Sequence, residues 1–324
     1  MRVVTGVKAE IPRVLVIVGP TAVGKTALAI RLGQRLGGEV ISADSRQIYR
    51  HMDIGTAKAT AEEQAALPHH LLDIVDPDVE LTLAHYQRLA FVAIEDVWAR
   101  GKLPMLVGGT GLYVQAVTEG WTVPEVPPDK ALRERLLAEA RSLGPEAFHL
   151  KLAAVDPIAA QRIDPRNIRR VIRALEVYQR TGRPISELQR KVPPPYYFLV
   201  IGLTMPREAL YQRVDARIEC MMAQGLEAEV RWLVARGYDY DLPAMSGLGY
   251  QQIGQHLRGE ITPQEAVALV KHHTRRFVRQ QYNWFRPADP VIHWFDTTAL
   301  DEAALRDLLR AFLKGETRIG EPRA

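Results

Sequence analysis

The sequence predicts an α/β fold: a P-loop NTPase-like parallel sheet core with an inserted all-helical domain. Three observations carry that prediction. Short β-branched runs alternate with stretches of helical apolar spacing, as in sheets whose parallel strands are joined by crossover helices. The first such run leads straight into Gly19-x-x-x-x-Gly24-Lys25-Thr26, and a helical pattern follows at once. Further on, two proline clusters bracket a span that reads as helix and turn throughout.

Taken in order, residues 13–18 form the first strand and residues 26–36 the helix behind the loop. Residues 39–42 are the next strand, with Asp44 just beyond its carboxyl end. Residues 83–100 have helical spacing, and the buried run 103–107 closes on Gly108-Gly109-Thr110-Gly111. The chain leaves the core through Trp121-Thr122-Val123-Pro124-Glu125-Val126-Pro127-Pro128 and returns through Val192-Pro193-Pro194-Pro195. Residues 197–203 resume the sheet, and long helices are expected over 207–236 and 263–286. The expected organisation is a first core segment (1–121), a helical insertion (122–195) and a second core segment with C-terminal helices (196–324).

Composition narrows the class. With 47% hydrophobic and 25% charged residues, the 324-residue chain can bury one large core or two modest ones, which argues against disorder. Its longest apolar runs, such as 14–18, are far too short to cross a bilayer, and no export signal is visible, so no membrane role is expected. Cys220 is the single cysteine, which excludes an internal disulfide and suits a reducing cytoplasm. The net charge of +4 hints only weakly at a polyanionic partner; where the charge sits matters more.

The loop from Gly19 through Pro20, Thr21, Ala22, Val23, Gly24 and Lys25 to Thr26 matches the phosphate-binding pattern in full. Its glycines let backbone N–H groups converge on phosphate oxygens, and the helix N-terminus adds positive potential. Lys25 would neutralise a phosphate, and the Thr26 hydroxyl would ligate Mg²⁺. Nucleotide hydrolases also need a carboxylate at the end of a buried strand. Here the run 103–107 ends in glycines and Thr110, and no Asn-Lys-x-Asp guanine-reading motif occurs. A triphosphatase motor or switch lacks its parts, whereas a kinase-like core remains open because positioning alone can catalyse phosphoryl transfer.

Asp44 faces the same crevice, since the carboxyl ends of parallel strands line one side of such a sheet. A carboxylate there repels phosphate, so it would help hold Mg²⁺ or take a proton from a nucleophile. The competing reading is a helix N-cap, which Asp and Ser both favour. Spacing does not choose between them.

The motifs GPTAVGKT, SADSRQIYRHMDIGTAK, PHHLLDIVDP, LVGGTGLYVQA, IRRVIRALEVYQRTGRP, GLEAEV and GLGYQQI together resemble the tRNA dimethylallyltransferases, also called isopentenyl-tRNA transferases. The similarity runs from Val14 to about Trp294, and DSRQIY and GGTGLY are specific to that family. The expected type is bacterial, because the zinc-finger extension of eukaryotic relatives is not seen. The resemblance implies transfer of a dimethylallyl group from dimethylallyl diphosphate to N6 of the adenosine immediately 3′ of the anticodon, giving i6A and diphosphate. It implies Mg²⁺ as cofactor and the tRNA anticodon stem-loop as partner; separately, a monomer in the cytoplasm is expected. The resemblance assigns catalytic parts to Asp44 as general base, Thr26 as magnesium ligand and Thr110 as a contact to the target nucleotide. By analogy with kinase-like folds, Arg213 and Arg217 join the loop in clamping the diphosphate.

Two predicted helices carry one-sided positive charge. Ile168, Val171, Ile172 and Leu175 share one face, and Arg169, Arg170 and Arg173 lie opposite. Val267, Val270, Phe277, Val278 and Phe285 form a second apolar stripe, with Lys271, Arg275, Arg276 and Arg279 on another arc. Such faces are usually only solvated, but the resemblance maps RNA contacts onto Asp44, Ser45, Arg46 and Gln47, onto Arg133 and 169–173, onto Met245, Ser246, Gly247, Gly249 and Tyr250, and onto 279–286 with Arg286, beside Arg275. Tyr282 and Trp284 are also candidates to stack on bases, while Phe285 reads as core. The pairs His69-His70 and His272-His273 lack the spacing of a zinc site. A small-molecule kinase and a non-catalytic RNA-binding protein are the alternatives.

Overall fold

The computed structural model describes residues 11–316. Strand β1 (Arg13–Val18) is fully buried from Val14 to Val18, as expected of an interior parallel strand covered on both faces. It is flanked by β4 (Leu103–Gly108) and β5 (Tyr197–Thr204), with Leu15 opposite Met105 on one side and Leu199 on the other. Beyond β4 lie β2 (Gly38–Ser42) and the two-residue β3 (His69–His70); beyond β5 lies β6 (Ile292–Asp296). All six strands are parallel, in the order β3-β2-β4-β1-β5-β6. The two edge strands have no counterpart in the sequence reading: β3 is too short to show alternation, and β6 is half-buried along its whole length.

Helix α1 (Lys25–Leu36) packs Leu28, Ala29 and Leu32 on the sheet and ends at Gly37 in the left-handed region. Short α2 (Ala61–Ala66) begins with a capping box from Thr60 and Glu63. Helix α3 (Leu83–Ala99) precedes β4, and α4 (Gly111–Thr118) follows it. After β5 come α10 (Arg207–Gln224) and α11 (Leu226–Ala235), then α12 (Tyr250–Leu257), α13 (Pro263–Trp284) and, after β6, α14 (Glu302–Lys314). The single helix expected over 207–236 is two, broken at Gly225, whose φ of 100° no L side chain adopts readily. One core joins Leu15 and Ile17 of β1 to Leu210 and Val214 of α10, Val270 and Val278 of α13 and Leu305 of α14.

The chain divides into two compact units. One holds the sheet and comprises residues 11–81, 87–118 and 195–316 of the described chain. The other comprises residues 82–86 and 119–194, against the expected 122–195. It contains α5 (Lys130–Leu143), α6 (Pro145–Val155), α7 (Pro157–Arg162), α8 (Ile168–Thr181) and α9 (Ile185–Leu188). Leu136, Phe148, Leu152, Val171 and Leu175 supply its own core. Among the described residues no helix is long and apolar enough to cross a membrane.

Candidate active site

The phosphate loop occupies the turn from β1 into α1. Gly19 sits at φ 142°, and a Cβ there would lie 2.5 Å from the Leu203 carbonyl oxygen, so only glycine fits beside β5. Gly24, at φ 106°, caps α1 and lets Lys25 and Thr26 open the helix. Ala22 is held at φ 67°, a strained conformation for a residue with a Cβ. Lys25 Nζ donates to the carbonyls of Gly19 at 2.9 Å and Pro20 at 2.8 Å, folding the side chain back over its own loop. Burial pushes the Lys25 ammonium down to about 8; Asp44 opposes the fall and Arg217 adds to it. Arg217 projects from α10 one turn after Arg213, and burial followed by the Arg213 charge lowers its own pKa. The phosphate loop thus collects three cations and a helix N-terminus.

Beyond β2 the chain turns at Asp44, whose Oδ1 accepts from the Arg46 N–H at 2.8 Å. The contact is an Asx turn, and residues 45–48 form turns rather than a helix, so the N-cap reading does not hold. Thr110, at the end of β4, pins this turn: its N–H donates to the Ala43 carbonyl, and its Oγ1 accepts from the Ser45 N–H at 3.0 Å. Arg46 reaches the Pro243 carbonyl at 2.8 Å, and Gln47 Nε2 donates to the carbonyls of Thr56 and Ala57. The following segment is gathered by Glu229 of α11, whose carboxylate accepts the N–H groups of Asp53, Ile54 and Gly55 and the Tyr250 hydroxyl. Burial, then the Glu229 charge, raises the Tyr250 pKa and keeps that hydroxyl protonated. Buried Lys58 completes the segment by pairing with Asp53 and Asp73.

Two cavities open against these loops. One, of about 970 Å³, is lined by Gly24, Lys25, Thr26, Arg213 and Arg217. The other, of about 440 Å³, is lined by Ser45, Arg46, Thr110, His273, Arg276 and Gln280, with an apolar side of Val214, Ile218, Val270 and Phe277. Thr21, Asp44, Arg217 and Met221 belong to the walls of both. Asp44 therefore stands where a cation-rich chamber meets a partly apolar one.

A model of the IPP transferase family matches residues 47–288, and one described as isopentenyl transferase matches residues 12–74. The tRNA dimethylallyltransferase of Roseiflexus sp. (strain RS-1) is 56% identical over 278 residues, covering 86% of this chain and 91% of the relative. This chain belongs to the tRNA dimethylallyltransferase, or IPP transferase, family. The enzyme of the same name from Thermomicrobium roseum is 50% identical over 285 residues, 88% of this chain and 86% of the relative. Among solved structures, the tRNA isopentenylpyrophosphate transferase of Bacillus halodurans superposes with a TM-score of 0.68 at 42% identity, covering 94% of this chain and 96% of that one. A eukaryotic dimethylallyltransferase acting on tRNA gives 0.76 at 27% identity, over 96% and 81% of the two chains. The six-stranded parallel sheet is thus the fold of IPP transferases.

Several residues matched to RNA contacts of the tRNA dimethylallyltransferases have partners within the chain. Arg133 and Arg173 both bond the carboxylate of Glu176, which is fully buried. Burial alone would raise the Glu176 pKa, but Arg133, the Asp129 N–H and Arg173 outweigh it and hold the acid ionised. Arg169 and Arg170 remain exposed on α8. On α13, Arg275 pairs with Asp215, and Arg279 donates to the Tyr211 hydroxyl at 3.0 Å. Arg276 lines the smaller cavity, and Arg286 is exposed. Met245 is buried with Ile48 and Leu233, so its side chain is core; Ser246, Gly247, Gly249 and Tyr250 line the smaller cavity. Phe277, expected in the apolar stripe of α13, is 38% exposed and lies on the cavity wall. Tyr282 bonds Thr204 through its hydroxyl, and Trp284 lies against Gly111. His69 bonds the Leu67 carbonyl and His70 bonds Glu39. Glu229 and Lys58 were given no role by sequence reasoning, and Gln281 only a place in the 279–286 segment matched to RNA contacts. A glutamate inside GLEAEV and a lysine closing GTAK were visible there, but the glutamate's backbone partners lie more than 170 residues away, and the lysine's acids, 5 and 15 residues off, meet it only once the loop is folded.

Proposed function

We propose that the protein transfers the dimethylallyl group of dimethylallyl diphosphate to N6 of the adenosine immediately 3′ of the anticodon in tRNA, releasing diphosphate. The observation that carries this reading is Asp44 on the wall shared by the two cavities. The diphosphate lies against the loop amides, Lys25, Arg213 and Arg217. The allylic carbon points past Asp44 toward the smaller cavity, where the adenine enters. As the carbon–oxygen bond breaks, its electron pair leaves on diphosphate, and the loop N–H groups and three cations stabilise that charge. The adenine nitrogen bonds the carbon and gives its proton to Asp44, an assistance typically worth about 10²- to 10⁴-fold. Val214, Ile218, Val270 and Phe277 keep water from the electron-poor carbon.

The donor set fits Mg²⁺. Thr26 and Asp44 put hard oxygens on the wall of the chamber that Lys25 lines, and no cluster of three metal-ligating side chains occurs among the described residues. That suits an ion held by one or two protein oxygens, water and substrate phosphate. When bound through Thr26 it would add Lewis-acid stabilisation of the leaving group.

Turning the adenine out of the stacked loop costs about a few kcal/mol. Exposed Arg169, Arg170, Arg276 and Arg286 meet RNA phosphates and help repay that cost. The protein acts as a monomer, in the cytoplasm beside its tRNA. The test is isotope transfer from labelled dimethylallyl diphosphate into bulk tRNA, with ATP consumption followed in parallel. Label in tRNA with ATP untouched is expected. ATP turnover without label would make the protein a kinase and end the proposal.

A further inference from the structure

Gln281 is a buried side chain that touches both working loops. It is 3% exposed, although it sits on α13 within a segment matched to RNA contacts. Its Oε1 accepts the N–H of Thr21, inside the phosphate loop, at 2.9 Å. Its Nε2 donates to the carbonyl of Gly109, at the end of β4, at 3.0 Å. Both ends of the amide are therefore committed to backbone, in a fixed orientation that an acid or an amine could not reproduce.

The residue after Gly109 is Thr110, which holds the Asp44 turn through Ser45 and Ala43. A continuous path of hydrogen bonds thus runs from the phosphate loop through Gln281 to the turn bearing Asp44. The fit is close: a Cβ on Gly109 would lie 2.4 Å from Gln281 Nε2, 3.4 Å from the Gly19 carbonyl oxygen and 3.5 Å from Lys25 Nζ. We propose that Gln281 is a positioning residue, which sets the distance between the diphosphate-holding loop and the Thr110–Asp44 loop so that the allylic carbon meets the adenine amine. Nothing about it requires contact with substrate. The inference rests on the prenyl-transfer reading, because it concerns the alignment of that donor and that acceptor.

Misalignment on this scale affects turnover more than binding. Gln281→Met keeps the volume and removes both hydrogen bonds; kcat is expected to fall roughly 10- to 100-fold. KM for dimethylallyl diphosphate and for an anticodon stem-loop RNA should each stay within about threefold of the parent values. Gly109→Ala displaces the amide from the other side while leaving Gln281 in place, and should lower kcat similarly. In the double variant the two losses should not multiply, since both act through one contact. Wild-type label transfer is the control: if the parent transfers nothing, the prenyl-transfer reading fails. With an active parent, Gln281→Met turnover within about twofold of wild type overturns the positioning role. So does a loss carried wholly by KM for the diphosphate, or fully multiplicative losses in the double variant. Should Gln281→Met not fold, Gly109→Ala decides alone, and unchanged kcat there overturns it.

Discussion

The phosphate loop and the Asp44 turn end strands of the same sheet, yet they keep their shapes by different means. The first is set mainly by its own backbone, with Gln281 its distant side-chain anchor: two positive-φ glycines, a strained Ala22 and a lysine folded onto carbonyls five and six residues away. The second is held from a distance. Thr110 reaches it across 65 residues, Arg46 ties it to a carbonyl 197 residues on, and Glu229 gathers the adjoining 53–55 segment from more than 170 residues away. A local loop forms with its strand and helix. A loop assembled by distant side chains is complete only when the second core segment has docked, so the Asp44 turn leans on that segment more heavily than the phosphate loop does.

Substitutions that separate the two loops test this contrast. The largest effect is expected from Asp44→Asn. Asparagine keeps the acceptor for the Arg46 N–H, so the turn survives while the base is lost. Turnover should fall by about 10²- to 10⁴-fold with RNA and diphosphate binding nearly unchanged, as measured by single-turnover label transfer. Turnover near that of the parent would remove Asp44 from the chemistry. On the phosphate side, the expected signature is a pH limb. Burial holds Lys25 near 8, so the charged form prevails at neutral pH and is lost as pH rises through that value. In a kcat/KM profile for dimethylallyl diphosphate, the value should drop about tenfold per pH unit above that point. Lys25→Arg stays charged and should lose this limb; a limb that persists belongs to another group.

Glu229→Gln should act on one side only. Its carboxylate receives three backbone N–H groups and a hydroxyl, whereas an amide would turn donors toward some of them. A loss of roughly tenfold in kcat/KM for the RNA substrate, about 1.4 kcal/mol, is expected. Affinity for inorganic pyrophosphate, read by calorimetry, should not move. An equal loss in pyrophosphate affinity would erase the distinction between the loops.

The same division explains what could be read from the sequence. The phosphate loop was legible because eight contiguous residues carry it, and the four central strands because buried parallel strands are unbroken apolar runs. Asp44 could be put on the loop's side of the sheet because strand ends share a crevice. What escaped was long-range or too short. β3 has two residues, and β6 lacks a buried face. Gly225 splits a helix whose apolar period runs through it. Phe277 satisfies the helical stripe yet faces the cavity, and the acids that claim Arg133, Arg173 and Arg275 are invisible to a pattern of positive charge.

Those arginines give the smallest and most discriminating comparison, between Arg169→Ala and Arg133→Ala in the helical unit. Arg169 is exposed, so its loss should leave the thermal midpoint nearly unchanged, within about 0.5 kcal/mol of stability. If it meets a phosphate of the unpaired loop, the slope of log K against log salt for stem-loop binding should flatten by about 0.7. Arg133 is half-buried and bidentate on Glu176. Its removal leaves a buried carboxylate with Arg173 and the Asp129 N–H alone, at a cost of about 1–3 kcal/mol. Its salt slope should match the parent's, because a guanidinium held by a buried acid has little left to offer RNA. Lower pH should narrow the difference in stability, since Glu176 is ionised only while its depressed pKa lies below the solution pH, and protonation removes the unpaired charge. A flattened salt slope for Arg133→Ala with unchanged stability would reverse the assignment and make that arginine part of the RNA surface.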